Sequence, residues 1–184
     1  MHGTEAPSTW VRRWSHLVAP GGTVLDVACG RGRHLRWFAN RGHPVVGIDR
    51  DAEALAAVAG VGRTLQADIE NGPWPLAGEQ FAAVVVTNYL WRALLPTLVA
   101  SVAPGGVLIY ETFGIDQARI GKPSRPDFLL RPGELLAAAE GLRTIAYEDG
   151  FCEAPDRFVQ RLAAVREVRQ DAAPSPRFLL DAAG

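Results

Sequence analysis

Five short runs rich in Val, Ile and Leu, each separated from the next by a segment of helical character, constrain this chain more than any other feature. They cover Thr23 to Ala28, Val45 to Asp49, Arg63 to Ala67, Ala82 to Asn88 and Val107 to Thr112. Runs this short and this apolar, without polar alternation, read as strands buried on both faces, the pattern of a parallel sheet with crossover helices. The segments between them fit that role. In "HLRWFANRG", Leu35, Phe38 and Ala39 fall on one helical face and Gly42 closes the helix. In "DAEALAAVAG", Asp51 is placed to cap the start and Gly60 the end. "WRALLPTLVASVA" is helical in pattern, with Pro96 near its start or kinking it. "APGGTVL" at Ala19 and "APGGVLI" at Ala103 each put a Pro-Gly turn directly before an apolar run.

The two ends of the chain differ from this middle. "LRTIAYEDGF" and "RFVQRLAAVREV" are strand-like, joined by a short Glu-Ala-Pro-Asp connection, and predict a hairpin added to the sheet. Residues from about 8 to 18 form a helical segment that carries Trp10 and Trp14 four apart, as core residues or as a lid. Residues 170–184, with two prolines and no clear period, are expected to be a flexible tail in which only "RFLL" could dock. The length of 184 residues then suits a single domain over 1–169.

A net charge of −1 argues against a protein whose main task is to coat nucleic acid or an anionic membrane. Cys29 and Cys152 lie far apart and have no metal-ligand spacing, so neither a disulfide framework nor a metal site is expected. There is no signal-like apolar region at the N-terminus and no run approaching ~18 apolar residues, which points to a cytoplasmic protein, monomeric or homodimeric.

The strands end in polar residues, and that is where chemistry is expected. In an open α/β sheet, ligands bind at the carboxyl ends of the strands where the strand order reverses. "VLDVACGRGRH" puts Asp26 and a loop of Ala28, Cys29, Gly30 and Gly32 at that mouth, and glycine lets the backbone turn sharply and approach a ligand. A dinucleotide fingerprint needs a third glycine where Leu35 stands, and Asp26 would repel a pyrophosphate. Asp49, 23 residues after Asp26, ends the second run with Arg50 beside it, where a carboxylate can accept two hydrogen bonds from a ribose. Asp68 with Ile69 ends the third and could read an adenine, and Asn88 ends the fourth.

This constellation resembles the class I S-adenosylmethionine-dependent methyltransferases from about Thr23 to Ile109, and more narrowly the small bacterial enzymes of the tellurite-resistance type. The resemblance implies a Rossmann-like, doubly wound, mostly parallel seven-stranded sheet with a C-terminal antiparallel hairpin. It also implies a glycine loop (Asp26, Cys29 to Gly32) under the methionine part of the cofactor, Asp49 on the ribose, and Asp68 with Ile69 on the adenine. The chain departs from the family at Ala28, which stands at the first motif glycine, and at "NYLW", which replaces the Pro-Pro aromatic motif of enzymes that methylate exocyclic amines of bases or glutamine side chains.

The expected activity is in-line methyl transfer to a small-molecule acceptor, with Tyr89 and Glu111 as candidate bases by position. Two alternatives stand beside it. One is an RNA or protein methyltransferase using the loop 113–132, which carries Arg119, Lys122, Arg125 and Arg131. The other is an S-adenosylmethionine-binding regulatory module without turnover.

Overall fold

Alternate residues of each central strand face opposite sides of one sheet, and two cores result. A computed structural model describes residues 6–168 and 176–181. Its seven strands are β1 (Val24–Val27), β2 (Val45–Asp49), β3 (Arg63–Gln66), β4 (Phe81–Thr87), β5 (Val102–Phe113), β6 (Arg143–Cys152) and β7 (Arg157–Val165), in the order β3-β2-β1-β4-β5-β7-β6. The first five are parallel, whereas β7 pairs antiparallel with both β5 and β6. This is the mostly parallel seven-stranded sheet with a C-terminal hairpin that the apolar runs predict.

Val24, Val45, Ala83, Val85, Val107 and Ile109 face one core, which is covered by α1 (Thr9–Trp14), α2 (Arg33–Ala39) and α3 (Ala52–Ala56). Leu25, Ile48, Val84, Val86, Leu108 and Tyr110 face the other, covered by α4 (Leu95–Ala100) and α5 (Glu134–Ala138). Period-two burial on both sides follows from the alternation of Cβ atoms across a strand.

Several details differ from the sequence expectation. β3 is only partly buried, because it is an edge strand with a neighbour on one side alone. Pro104, Gly105 and Gly106 do not precede β5 but lie inside it, at a register shift between Phe81 and Ala83; the second Pro-Gly-Gly is a β-bulge. The segment around Pro96 divides into a 3-10 turn, Arg92–Leu94, and the short helix α4, with the proline in its first turn as its missing N–H allows. Trp10 and Trp14 stack edge to face at 5.6 Å, are nearly fully buried, and so belong to the core and form no lid. Part of the tail docks: Phe178 packs on the first core with Arg143 over its ring at 5.4 Å, and the His16 ring hydrogen-bonds the Leu179 carbonyl at 2.9 Å. Residues 169–175 and 182–184 lie outside the described residues.

The hairpin is tied to the sheet by a buried charge. Glu111, on β5 and 1% exposed, accepts from the Arg161 and Arg157 guanidinium groups of β7 and, at 3.0 Å, from the Ser8 hydroxyl. Removing one partner of a buried pair leaves a carboxylate without compensation. Arg161→Met is therefore expected to destabilise the protein by about 3 kcal/mol at neutral pH, and Glu111→Leu in the same chain to recover part of that loss, as urea denaturation would show.

Candidate functional site

β1 pairs with β2 on one side and β4 on the other, so the chain leaves its carboxyl end in two directions and a crevice opens there. Two hollows occupy it, of about 770 and 420 Å³, and they meet at Ala28 and Asn88. The larger follows the loop from Cys29 to His34. The smaller runs from Asp49 and Asp68 to Tyr89, Phe113 and Phe128. Of the sequence-predicted site residues, Ala28, Cys29, Gly30, Gly32, Asp49, Arg50, Asp68, Ile69, Asn88 and Tyr89 line one hollow or the other, Asp26 lies beneath them, and Glu111 lines neither.

The loop after β1 is built on left-handed backbone. Gly32 has φ +69° and precedes α2, and a Cβ there would lie 2.3 Å from Val58 Cγ1, so only glycine fits. Ala28 and Asn88 also take positive φ, +53° and +55°. Left-handed backbone is unfavourable for residues with a Cβ, and of the three non-glycine cases among the described residues these two stand where the hollows join, the third being Ala154 in the hairpin connection. Ala28 thus keeps the backbone course of the motif glycine it replaces.

Each carboxylate in the crevice has its own environment. Asp49 Oδ2 accepts from the Gly30 N–H at 2.7 Å and Oδ1 from the Asp51 N–H at 2.9 Å, which fixes the loop against β2 and leaves a lone pair free on each oxygen. Asp68 is exposed at the mouth of the smaller hollow; hydrogen bonds from the Asn71 side chain and from the Glu70 and Asn71 N–H groups hold its carboxyl below the usual range. Asp26 is 1% exposed, and its Oδ2 has no hydrogen-bond partner among the described residues. His34 Nδ1 faces that oxygen at 3.7 Å, while Nε2 accepts from the Ser8 N–H at 3.2 Å, which puts the ring proton on Nδ1.

Ser8 is therefore shared. Its N–H meets His34, its hydroxyl oxygen accepts from the Trp10 and Val11 N–H groups at the start of α1, and its O–H is donated to Glu111. Ala6 and Pro7, just before it, line the larger hollow.

The two candidate bases fare differently. Glu111 is buried beneath α1 as the counter-ion of two arginines, and this corrects its assignment as a base: its oxygens are already taken. Tyr89 does line the smaller hollow, but burial first, and the Glu70 charge next, push its phenol far above the ordinary value. That hydroxyl is itself buried, with the Glu70 carboxylate close enough to raise its titration. A phenol in this state donates a hydrogen bond readily and removes a proton poorly.

Cys29 is no nucleophile. Burial and the neighbouring Asp26 and Asp49 charges push its thiol strongly upward.

Sequence reasoning missed Glu70, Phe113, Pro123 and Phe128, which complete the smaller hollow. It missed as well the residue that holds the last of these. Arg92 donates to both Glu134 oxygens, at 2.6 and 3.0 Å, and to the carbonyls of Asp127 and Leu129, at 2.9 and 2.7 Å, so one guanidinium pins the turn that carries Phe128. The signal was present only as an arginine after "NYLW", and nothing local says that its partners lie more than thirty residues on.

All three tyrosines titrate high: Tyr89 and Tyr110 mainly through burial, and Tyr147, through burial and the Asp149 charge, pushed up to about 12. An unfolded tyrosine ionises near 10. Between about pH 10 and 12 the folded chain thus binds more protons than the unfolded one, and stability falls as pH rises. Ultraviolet titration is expected to show no tyrosinate at pH 10 in the folded protein and its appearance on unfolding in urea.

Residues 24–106 match the methyltransferase domain family. Among curated proteins, the tRNA U34 carboxymethyltransferase of Klebsiella pneumoniae is 29% identical over 135 residues, 61% of this chain and 38% of that protein. The chain thus spans well under two thirds of the curated relatives it matches. Among solved structures, TehB from Haemophilus influenzae superposes with a TM-score of 0.71 at 18% identity, over 90% of this chain and 64% of that one. An S-adenosylmethionine-dependent methyltransferase from Mesorhizobium loti superposes with a TM-score of 0.65 at 18% identity, over 83% and 95%. No helix among the described residues is long and apolar enough to cross a membrane. The chain is thus similar to methyltransferases over residues 24–106 and shares its fold with TehB and the Mesorhizobium loti protein.

Proposed function

We propose that the protein transfers a methyl group from S-adenosylmethionine to a small-molecule acceptor. The observation that carries the reading is the crevice: a hollow of about 420 Å³ lined by Asp49, Asp68 and Ile69 meets the hollow of the glycine loop at Ala28 and Asn88, with Phe113, Pro123 and Phe128 along one side. The cations of the 113–132 loop do not line it. Arg119 pairs with Asp116 at 3.3 Å and Arg125 with Asp127 at 3.0 Å, both on the surface.

The residues present fit the cofactor. The buried, unpartnered Asp26 oxygen suits a cationic group above it, and Asp49 keeps one lone pair on each oxygen for two hydroxyls. Asp68 keeps a lone pair on Oδ2 beyond its bond from Asn71, enough to accept one amino N–H. When bound, the cofactor supplies an activated methyl on a sulfonium, so the protein's task is alignment and exclusion of water. Phe113 and Phe128, the latter on the turn fixed by Arg92, supply the apolar wall that keeps water out.

A second reading, an RNA acceptor, is favoured by the curated relative's name alone. Charge reversal at Arg119, Arg125 and Arg131 distinguishes the two: for a small-molecule acceptor it leaves turnover within about twofold, whereas for RNA it weakens substrate binding in a salt-dependent way.

Calorimetric titration with S-adenosylmethionine, S-adenosylhomocysteine and NADH tests the cofactor. The first two are expected to bind saturably and NADH not at all. Asp49→Ala is expected to weaken the first two at least tenfold, since two charge-assisted hydrogen bonds are lost. Binding of NADH alone, or unchanged affinity in the variant, sinks the reading.

A further inference from the structure

His34 stands between two buried groups that make opposite demands on its ring. Nε2 accepts the Ser8 N–H at 3.2 Å and so carries no proton, while Nδ1–H faces the unpartnered Asp26 Oδ2 at 3.7 Å. That second distance is about 1 Å too long for a charge-assisted hydrogen bond. The neutral ring therefore serves Ser8 and leaves Asp26 its full charge.

A proton on Nε2 reverses both relations. The ring N–H and the Ser8 N–H then confront each other as two donors, and the imidazolium is drawn toward Asp26 in an interior where opposite charges attract strongly. Asp26 on β1 is the carboxylate that faces the ring directly. Glu111 on β5 lies one hydroxyl away through Ser8, and Arg157 and Arg161 of β7 already compensate it. Arg31, Arg33, Arg36 and Asp51 line the larger hollow together with His34, so a charged ring also adds a cation to that lining.

The same hydrogen bond has a mechanical side. Ala6 and Pro7 wall the larger hollow immediately before Ser8, and the bond from the Ser8 N–H to His34 ties this wall to α2.

Resting on the reading of the crevice as an S-adenosylmethionine site, we propose that His34 is a positioning residue whose protonation and cofactor binding oppose each other. The neutral ring holds the Ala6–Pro7 wall in place and leaves Asp26 charged beneath the cofactor's cationic groups. The imidazolium neutralises Asp26 and releases the wall. Cofactor entering at acid pH therefore expels one proton from Nε2 to solvent, and by reciprocity acid weakens the cofactor. One such proton changes affinity by at most about tenfold per pH unit.

The test is calorimetric titration with S-adenosylhomocysteine, which keeps the α-ammonium of the cofactor, at pH 8 and at pH 5.5. Wild-type protein is expected to bind at least fivefold more weakly at the lower pH. His34→Gln sets an amide oxygen where Nε2 stands, so it can still accept from Ser8 but cannot titrate. Whatever its Kd at pH 8, the ratio of its two values is expected to stay within twofold. A second measurement needs no variant: at pH 6 the assigned His34 ring resonance of the wild-type protein is expected to move toward the neutral-ring position on saturation with S-adenosylhomocysteine.

The proposal falls if the wild-type Kd is the same at both pH values, or if the His34 resonance does not respond to the ligand. It falls equally if His34→Gln keeps the wild-type loss of affinity, since the titrating group is then Asp26 or another residue. Failure of S-adenosylhomocysteine to bind even at pH 8 is a different result, and it removes the methyl-transfer reading together with this proposal.

Discussion

The reversal of strand order beside β1 is the constraint on which the rest of this structure depends. With β2 hydrogen-bonded to one edge of β1 and β4 to the other, the connections that follow must part, and no backbone fills the space above Val27. Five residues of the crevice arrive there because a strand ends: Asp49 from β2, Asp68 after β3, Asn88 and Tyr89 after β4, Phe113 at the end of β5. The apolar alternation that builds two cores is thus also what delivers polar groups to one edge, since the residues just beyond each strand are freed from the need to be buried.

A second level of organisation joins that edge to the chain's ends. Ser8 meets His34 through its N–H, Glu111 through its hydroxyl and the first turn of α1 through its oxygen, while Glu111 holds Arg157 and Arg161 of the hairpin. A buried polar chain of this kind favours one arrangement of its parts, because each displaced member leaves another without a partner in a low-dielectric interior. The first helix, the start of α2 after the β1 loop and the terminal hairpin are held in register by it, although they come from three distant parts of the sequence.

Much of this was legible in advance. Strand runs, the crossover pattern and the hairpin follow from hydrophobic periodicity, which is a local signal; Asp49 and Asp68 stand out because they end such runs. What was not legible depends on distance in the sequence. Glu111 carries the same sequence signature as Asp49, an acidic residue closing an apolar run, and only the arrival of β7 alongside β5 turns it into a buried counter-ion. The basic residues of the 113–132 loop suggested an outward electrostatic role, whereas the loop's contribution to the crevice is apolar, through Pro123 and Phe128. The second Pro-Gly-Gly reads like the first, yet it sits in a strand because β4 and β7 flank it.

The state of Cys29 carries a consequence for the protein's own safety. In the proposed reaction a thiol in this loop is a potential rival to the true acceptor, for sulfur anions attack sulfonium methyl groups readily. Only the thiolate is strongly nucleophilic, and burial together with the Asp26 and Asp49 carboxylates disfavours that anion here. The residue hydrogen-bonds weakly to the Gly30 carbonyl and packs as a small apolar group. For the proposed methyl transfer, these carboxylates therefore also guard the loop's own thiol against alkylation.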